Sequence, residues 1–362
     1  MWSLVNGSIE PGRTRSFWFI FCVVLVIAVF TPFYIGRYSL LNLNSFLLMT
    51  FLTMGLALLW GFAGILSLGQ SAFFGIGGYA YGIVSINLSD TVGQTGIALV
   101  AGIAVAVGVA SVLSWIMFYG RLKGVYVAIV TLVVTLLLET FLNQTAGPQW
   151  AIGNASLGGN NGLGRFSGDI QELPSIVIGE GSASLELSGS SFSLYYAIVA
   201  LIVVIYLALR MLVNSRFGIA LSAIREDPDR TESLGYDVRL LQMVVFCIGA
   251  ALAALSGILY ISWGNFITPS VFGVNANILP VIWVAVAGRR SLAASIVGAV
   301  ALQWISQSLA LQGEYALVIQ GALLVVAVLL VPEGVISVGS SFGLQGRKTR
   351  ATTSSAGVDD AS

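Results

Sequence analysis

Apolar residues run through this chain in long blocks separated by short polar stretches. Ten blocks approach the roughly 20 residues that a helix needs to cross a bilayer: residues 17–35, 39–60, 65–88, 96–118, 124–142, 194–213, 240–262, 272–288, 292–311 and 315–331. The eighth is interrupted by Asn275, Asn277 and Pro280, the pattern expected of a broken helix whose freed backbone groups contact a solute or each other. The pattern predicts an all-α, polytopic helical membrane protein with about ten transmembrane helices, some of them broken or re-entrant.

Charge supplies an orientation, because short cytoplasmic loops collect Lys and Arg. Threading ten spans from a cytoplasmic N terminus puts 14 of the 16 basic side chains inside and leaves only Arg37 and Arg165 outside. Both termini are then cytoplasmic. Residues 1–16 form a short leading segment, 17–335 the transmembrane domain, and 336–362 a Ser/Thr-rich tail expected to be disordered. The run from Phe17 to Ile35 is longer than a signal-peptide core and no small-x-small site closes it, so it is expected to be a retained first span.

Two loops stand out. Residues 143–193, on the outer face, are rich in Gly, Ser and Asn and carry Asp169, Glu172, Glu180 and Glu186 against a lone Arg165. A loop of that length is expected to form a partly ordered cap, with a short hairpin where IVI and LEL flank GEGSAS. Residues 214–239, on the inner face, hold nine of the 32 charged side chains between two apolar blocks. There Ser215 to Ala223 reads as a continuation of the sixth helix, followed by a charged turn or short helix start at Arg225–Asp229 and an end at Gly235.

Composition agrees with the pattern and narrows the chemistry. Hydrophobic residues make up 57% and charged residues 9%, and the mean hydropathy is +0.93, far from a soluble domain. The formal net charge is zero, so no global field argues for nucleic acid. Histidine is absent, which removes the usual general base and the commonest metal ligand; no catalytic or metal-binding residue is expected. Cys22 and Cys247 each sit in an apolar run, as small hydrophobes.

The most unusual span is GILSLGQSAFFGIGGYAYG, residues 64–82, with six glycines and two serines in 19 residues. Such residues either let backbones approach closely or mark a helix that unwinds to line a cavity. The polar pair Gln70 and Ser71 inclines the expectation towards a path-lining role shared with Gly75 and Gly77. Asn275 and Asn277 are further candidates, as are Gln303 and Gln307, four apart on one helix face. Glu139 is the one acidic side chain within a clear span. Proton- or sodium-coupled carriers need ionisable groups in mid-membrane, so a neutral or zwitterionic solute moved by energy from elsewhere fits better. The chain has no phosphate-cradling G-x-x-x-x-G-K-[ST] loop.

WGFAGILSLGQSAFFGIGGYA (60–80), GGNNGL (158–163), SRFGIALSAIREDPDRTESLGYDV (215–238), ITPSVFGVNANILPVIWVAVAGRRSLAASIVGA (267–299) and VPEGVI (331–336) together resemble the permease subunits of bacterial ABC importers for branched-chain amino acids and for urea or short amides. The resemblance implies a multi-pass protein of the bacterial inner membrane, embedded in lipid. It also implies a second, related permease chain, two cytoplasmic ATPase subunits carrying ATP and Mg, and an external solute-binding protein. Residues 215–235 match the family's coupling loop, so Arg216, Arg225, Glu226 and Asp227 would contact the ATPase, with Gly235 turning the chain back. Relatives often carry His where Gln70 stands, so only a neutral hydrogen-bonding role carries over. The paired asparagines of GGNNGL lean towards the urea and amide branch. A passive channel for a small neutral solute such as urea is the alternative.

Overall fold

A computed structural model of the chain describes residues 15–88, 94–164, 176–178, 185–187 and 192–310. The first helices are α1 (Arg15–Tyr34), α2 (Arg37–Ala57), α3 (Gln70–Asn87), α4 (Gln94–Tyr119) and α5 (Val125–Asn143). A five-residue π-helix, Leu58–Phe62, extends α2. After the loop at residues 144–191 come α6 (Phe192–Val213), α7 (Arg216–Glu226), α8 (Pro228–Ser233), α9 (Val238–Gly264), α10 (Val274–Ala287) and α11 (Leu292–Ala310). The fold is that of a helical membrane protein.

The centre is α3 and α9, packed on each other and wrapped by α2 and α4, with α11 laid on α2. Small residues make this possible. A Cβ at Gly257 would land on the Phe74 carbonyl, and one at Gly55 would lie 3.0 Å from the Gly249 carbonyl oxygen, so the helices meet at backbone distance. Side-chain hydrogen bonds to backbone tie α9 to α2: Ser256 Oγ donates to the Leu48 carbonyl at 2.8 Å and Trp263 Nε1 to that of Leu41 at 2.8 Å. The outer helices α1, α4 and α5 expose large apolar residues such as Phe19, Val100, Trp115 and Leu137, a surface suited to lipid.

Among the described residues, six helices are long and apolar enough to cross a membrane: α1, α2 with its π-helical end, α4, α5, α6 and α9. The helices α10 and α11 are bent by 120° to one another and make a seventh span if counted as one. The expected ten therefore include segments that are not independent lipid-facing spans, and the tenth, 315–331, lies outside the described residues. The third begins at Gln70 rather than 65, and residues 63–69 are not helical. Its glycines and polar ends dilute its apolarity, which a helix enclosed by protein on most sides tolerates. The eighth is continuous through Pro280; its break lies upstream at residues 265–273, where Phe266–Ile267 is extended and Pro269–Phe272 forms a 3-10 turn.

The sixth helix does not continue into the charged loop. It ends at Val213, Ser215 is extended at φ −82°, ψ 177°, and α7 starts afresh at Arg216. The turn is so tight that a Cβ at Gly218 would overlap the Val213 backbone.

Among the short strands, β1 (Ala151–Ile152) pairs with β2 (Ala155–Ser156), and β3 (Leu163–Gly164) with β6 (Phe266–Ile267), all antiparallel. The expected hairpin is present as β4 (Ile176–Ile178) against β5 (Leu185–Leu187). GGNNGL lies beside the second break: a Cβ at Gly162 would fall on the Ile267 carbonyl.

Candidate functional site

Two features bear on function: the pair of helix breaks joined through Ser71 and Asn277 and the charged elbow at residues 214–239. The elbow is built by helix caps. Ser215 Oγ accepts from Phe217 N at 3.2 Å, opening α7. Asp227 Oδ1 accepts from Asp229 N at 3.1 Å and Arg230 N at 3.0 Å, with Pro228 at the first helical position; this satisfies donors that a helix start leaves free. Asp227 Oδ2 also pairs with Arg230 Nε at 2.9 Å. Asp237 Oδ1 accepts from Leu240 N at 3.0 Å and opens α9. Between them Gly235 turns the chain at φ +87°, a conformation that disfavours a side chain.

The elbow residues named from sequence face different ways. Arg216 and Glu226 are exposed, and Asp227 is spent on capping. Arg225 turns inward, donating from Nη1 to the Gly61 carbonyl at 2.7 Å. Charge alone drew notice to this loop, and two apolar residues at its tip escaped it: Leu234 is 75% and Tyr236 48% exposed. Against the membrane domain the elbow leaves a cavity of about 120 Å³ between α7 and the α4–α5 turn, lined among others by Gly64, Phe118, Lys123 and Arg225. Lys123 bridges to Asp229 at 2.9 Å.

At the first break, Leu68 N donates to Thr131 Oγ1 of α5 at 3.2 Å, and α3 then starts at Gln70 without a side-chain cap. Gln70 is 3% exposed, and neither atom of its amide has a hydrogen-bond partner. Such a group costs about 1–3 kcal/mol when buried bare. Ser71 Oγ donates to Asn277 Oδ1 of α10, and Asn277 Nδ2 donates to the carbonyls of Phe272 and Gly273 at 3.0 and 2.9 Å. The two breaks thus meet through one serine and one asparagine. The space beside Gly75 is filled by the Phe272 ring and that beside Gly77 by Ala254.

The remaining candidates are scattered. Asn275 is exposed. Gln303 Nε2 donates to the Phe46 carbonyl of α2 at 3.2 Å and to Ala299 at 3.1 Å, and Gln307 is half-buried one turn on. Glu139 approaches the second break, where a Cβ at Gly273 would lie 3.2 Å from its Oε1. Cys22 is exposed on α1, and Cys247 lies 3.3 Å from Ser111 Oγ.

Residues 39–328 match the model of the family described as branched-chain amino acid transport system / permease component. Over 333 residues, 86% of this chain and 73% of the relative, the chain is 28% identical to the high-affinity branched-chain amino acid transport system permease protein LivM of Salmonella typhimurium. It is 27% identical over the same shares to the protein of that name in Escherichia coli. A shorter stretch, 24% of this chain, is 30% identical to a probable branched-chain amino acid transport permease protein LivM of Methanocaldococcus jannaschii. No solved structure matches the chain significantly.

Proposed function

The chain belongs to the branched-chain amino acid transport system permease family, and on that premise we propose that it is the membrane subunit of an ABC importer carrying branched-chain amino acids across the bacterial inner membrane. The observation that carries this is the extent of the family match, which runs from α2 through α11 and so includes both breaks and the elbow. The relatives are named for branched-chain amino acids, and that outweighs the lean of two asparagines towards urea.

The work is divided among subunits. ATP and Mg bind to two cytoplasmic ATPases, a second permease chain completes the path, and an external binding protein delivers the solute. The ATPase docks on the elbow, which exposes the charged Arg216 and Glu226 and the apolar Leu234 and Tyr236; apolar anchors with a polar surround are the usual make-up of a docking surface. A low intramembrane charge suits a zwitterion driven by ATP rather than by an ion gradient. The breaks at residues 63–69 and 265–273 are of the kind that lines transporter paths, and Gln70, Ser71 and Asn277 are proposed as solute contacts.

Reconstitution tests this. The chain with its ATPases and binding protein should take up leucine only when ATP is supplied, and Leu234→Asp with Tyr236→Ala should release the ATPases on purification. Leucine or urea flux through the chain alone, without ATP, would reject the reading in favour of a passive channel.

A further inference from the structure

Among the elbow's charged side chains, Arg225 turns in towards the membrane helices. Its Nη1 donates at 2.7 Å to the carbonyl of Gly61, inside the π-helix that ends α2. Its stem fills the space at Gly64, where a Cβ would lie 2.8 Å from Arg225 Cγ and where φ is +75°. The guanidinium approaches Glu226 at only 3.4 Å, and that carboxylate is 77% exposed against 21% for Arg225. Water screens the ion pair, so the shorter, charge-assisted bond to the carbonyl holds the side chain.

Gly61 is gripped from its other side as well. A Cβ there would land on the Arg289 carbonyl in the turn between α10 and α11, and the Arg289 guanidinium stands 5.4 Å over the Trp60 ring. The π-helix end is therefore clamped between the elbow and the α10–α11 turn. Nine residues beyond Gly61 is Gln70, where α3 begins. The far end of the same circuit closes on α3 too, because α10 carries Asn277 to Ser71. Single π-helical turns are rare and recur at functional sites, and the neighbouring cavity of about 120 Å³ leaves the Arg225 stem space to shift.

We propose that Arg225 is a positioning residue that transmits displacement of the elbow to Gly61, and through the 63–69 break to the start of α3. It thereby sets how much solute is imported for each ATP hydrolysed. This rests on the permease reading but assigns Arg225 to the inside of the elbow rather than to the ATPase surface.

The test uses the full assembly in proteoliposomes with its binding protein, reading leucine import and ATP hydrolysis in parallel. With Arg225→Ala the ATPases should still co-purify, while import per ATP falls about tenfold, as expected for a lost charge-assisted hydrogen bond. Arg225→Gln, which keeps a neutral donor, should recover much of that ratio. Should the alanine variant not survive purification, Arg225→Met keeps the stem without a donor and takes its place with the same expectations. Wild-type import per ATP in the donorless variant overturns the proposal. Loss of ATPase co-purification with an intact permease overturns it too, by placing Arg225 on the docking surface. Failure of the permease reading itself would show separately, as absence of ATP-driven import in the unsubstituted assembly.

Discussion

At the scale of single residues, Gln70 carries the clearest energetic signature. Its amide is enclosed at the start of α3 with both atoms bare, so replacing it with apolar Met of similar length should raise stability by about 1–3 kcal/mol. A thermal-unfolding series on the purified assembly measures this, and leucine import should fall in the same variant. An unchanged or lowered midpoint would show that the amide is satisfied in the folded protein. The polarity of Gln70 and Ser71 was legible in the chain, because both interrupt an oily block. What fills the glycine positions was not: a glycine carries no mark of its neighbour, and the ring beside Gly75 belongs to Phe272, far along the sequence. Arg225 shows the same limit, since charge announces a loop but leaves open which way one guanidinium turns.

At the scale of elements, the elbow is two helices, each opened by a side-chain cap, with a third cap, Asp237, opening α9 after them. The shorter, α8, has six residues, too few to persist without help. Asp227→Ala removes its cap and should cost about 1 kcal/mol locally, roughly fivefold faster amide exchange at Asp229 and Arg230. Hydrogen exchange followed by mass spectrometry reads this directly; unchanged protection would mean that packing alone holds α8. Helix existence was legible from block length and polar spacing, and the hairpin β4–β5 from the IVI and LEL triplets around GEGSAS. The breaks were placed less well. Pro280 drew the second break to itself, yet membrane helices absorb a proline when neighbours satisfy the freed carbonyl, and the true interruption sits where β3 supplies hydrogen bonds at residues 266–267. The start of α7 was missed for a related reason: Ser215 is one cap among many serines until its Oγ is seen to accept from Phe217.

At the scale of the whole molecule, the bias in basic residues implies that the elbow and the outer strands lie on opposite sides of the membrane. Single cysteines at Ser233 and Asn154, both exposed, test this in a Cys22→Ser background, because Cys22 is itself exposed. An impermeant thiol reagent added outside intact spheroplasts should label the position at 154 and spare the one at 233. Labelling of both, or of 233 alone, would refute the orientation. The polytopic class was plain from composition, whereas the count of independent spans was not, since an enclosed helix such as α3 owes its place to partners rather than to lipid. One further consequence concerns biogenesis. Leu163 and Ile267 are ladder partners, so a growing polypeptide must deliver some hundred more residues through the insertion machinery before the outer loop can settle. Until then Leu163–Gly164 has no ladder partner and stands as an open edge, so this part of the fold closes only late in synthesis.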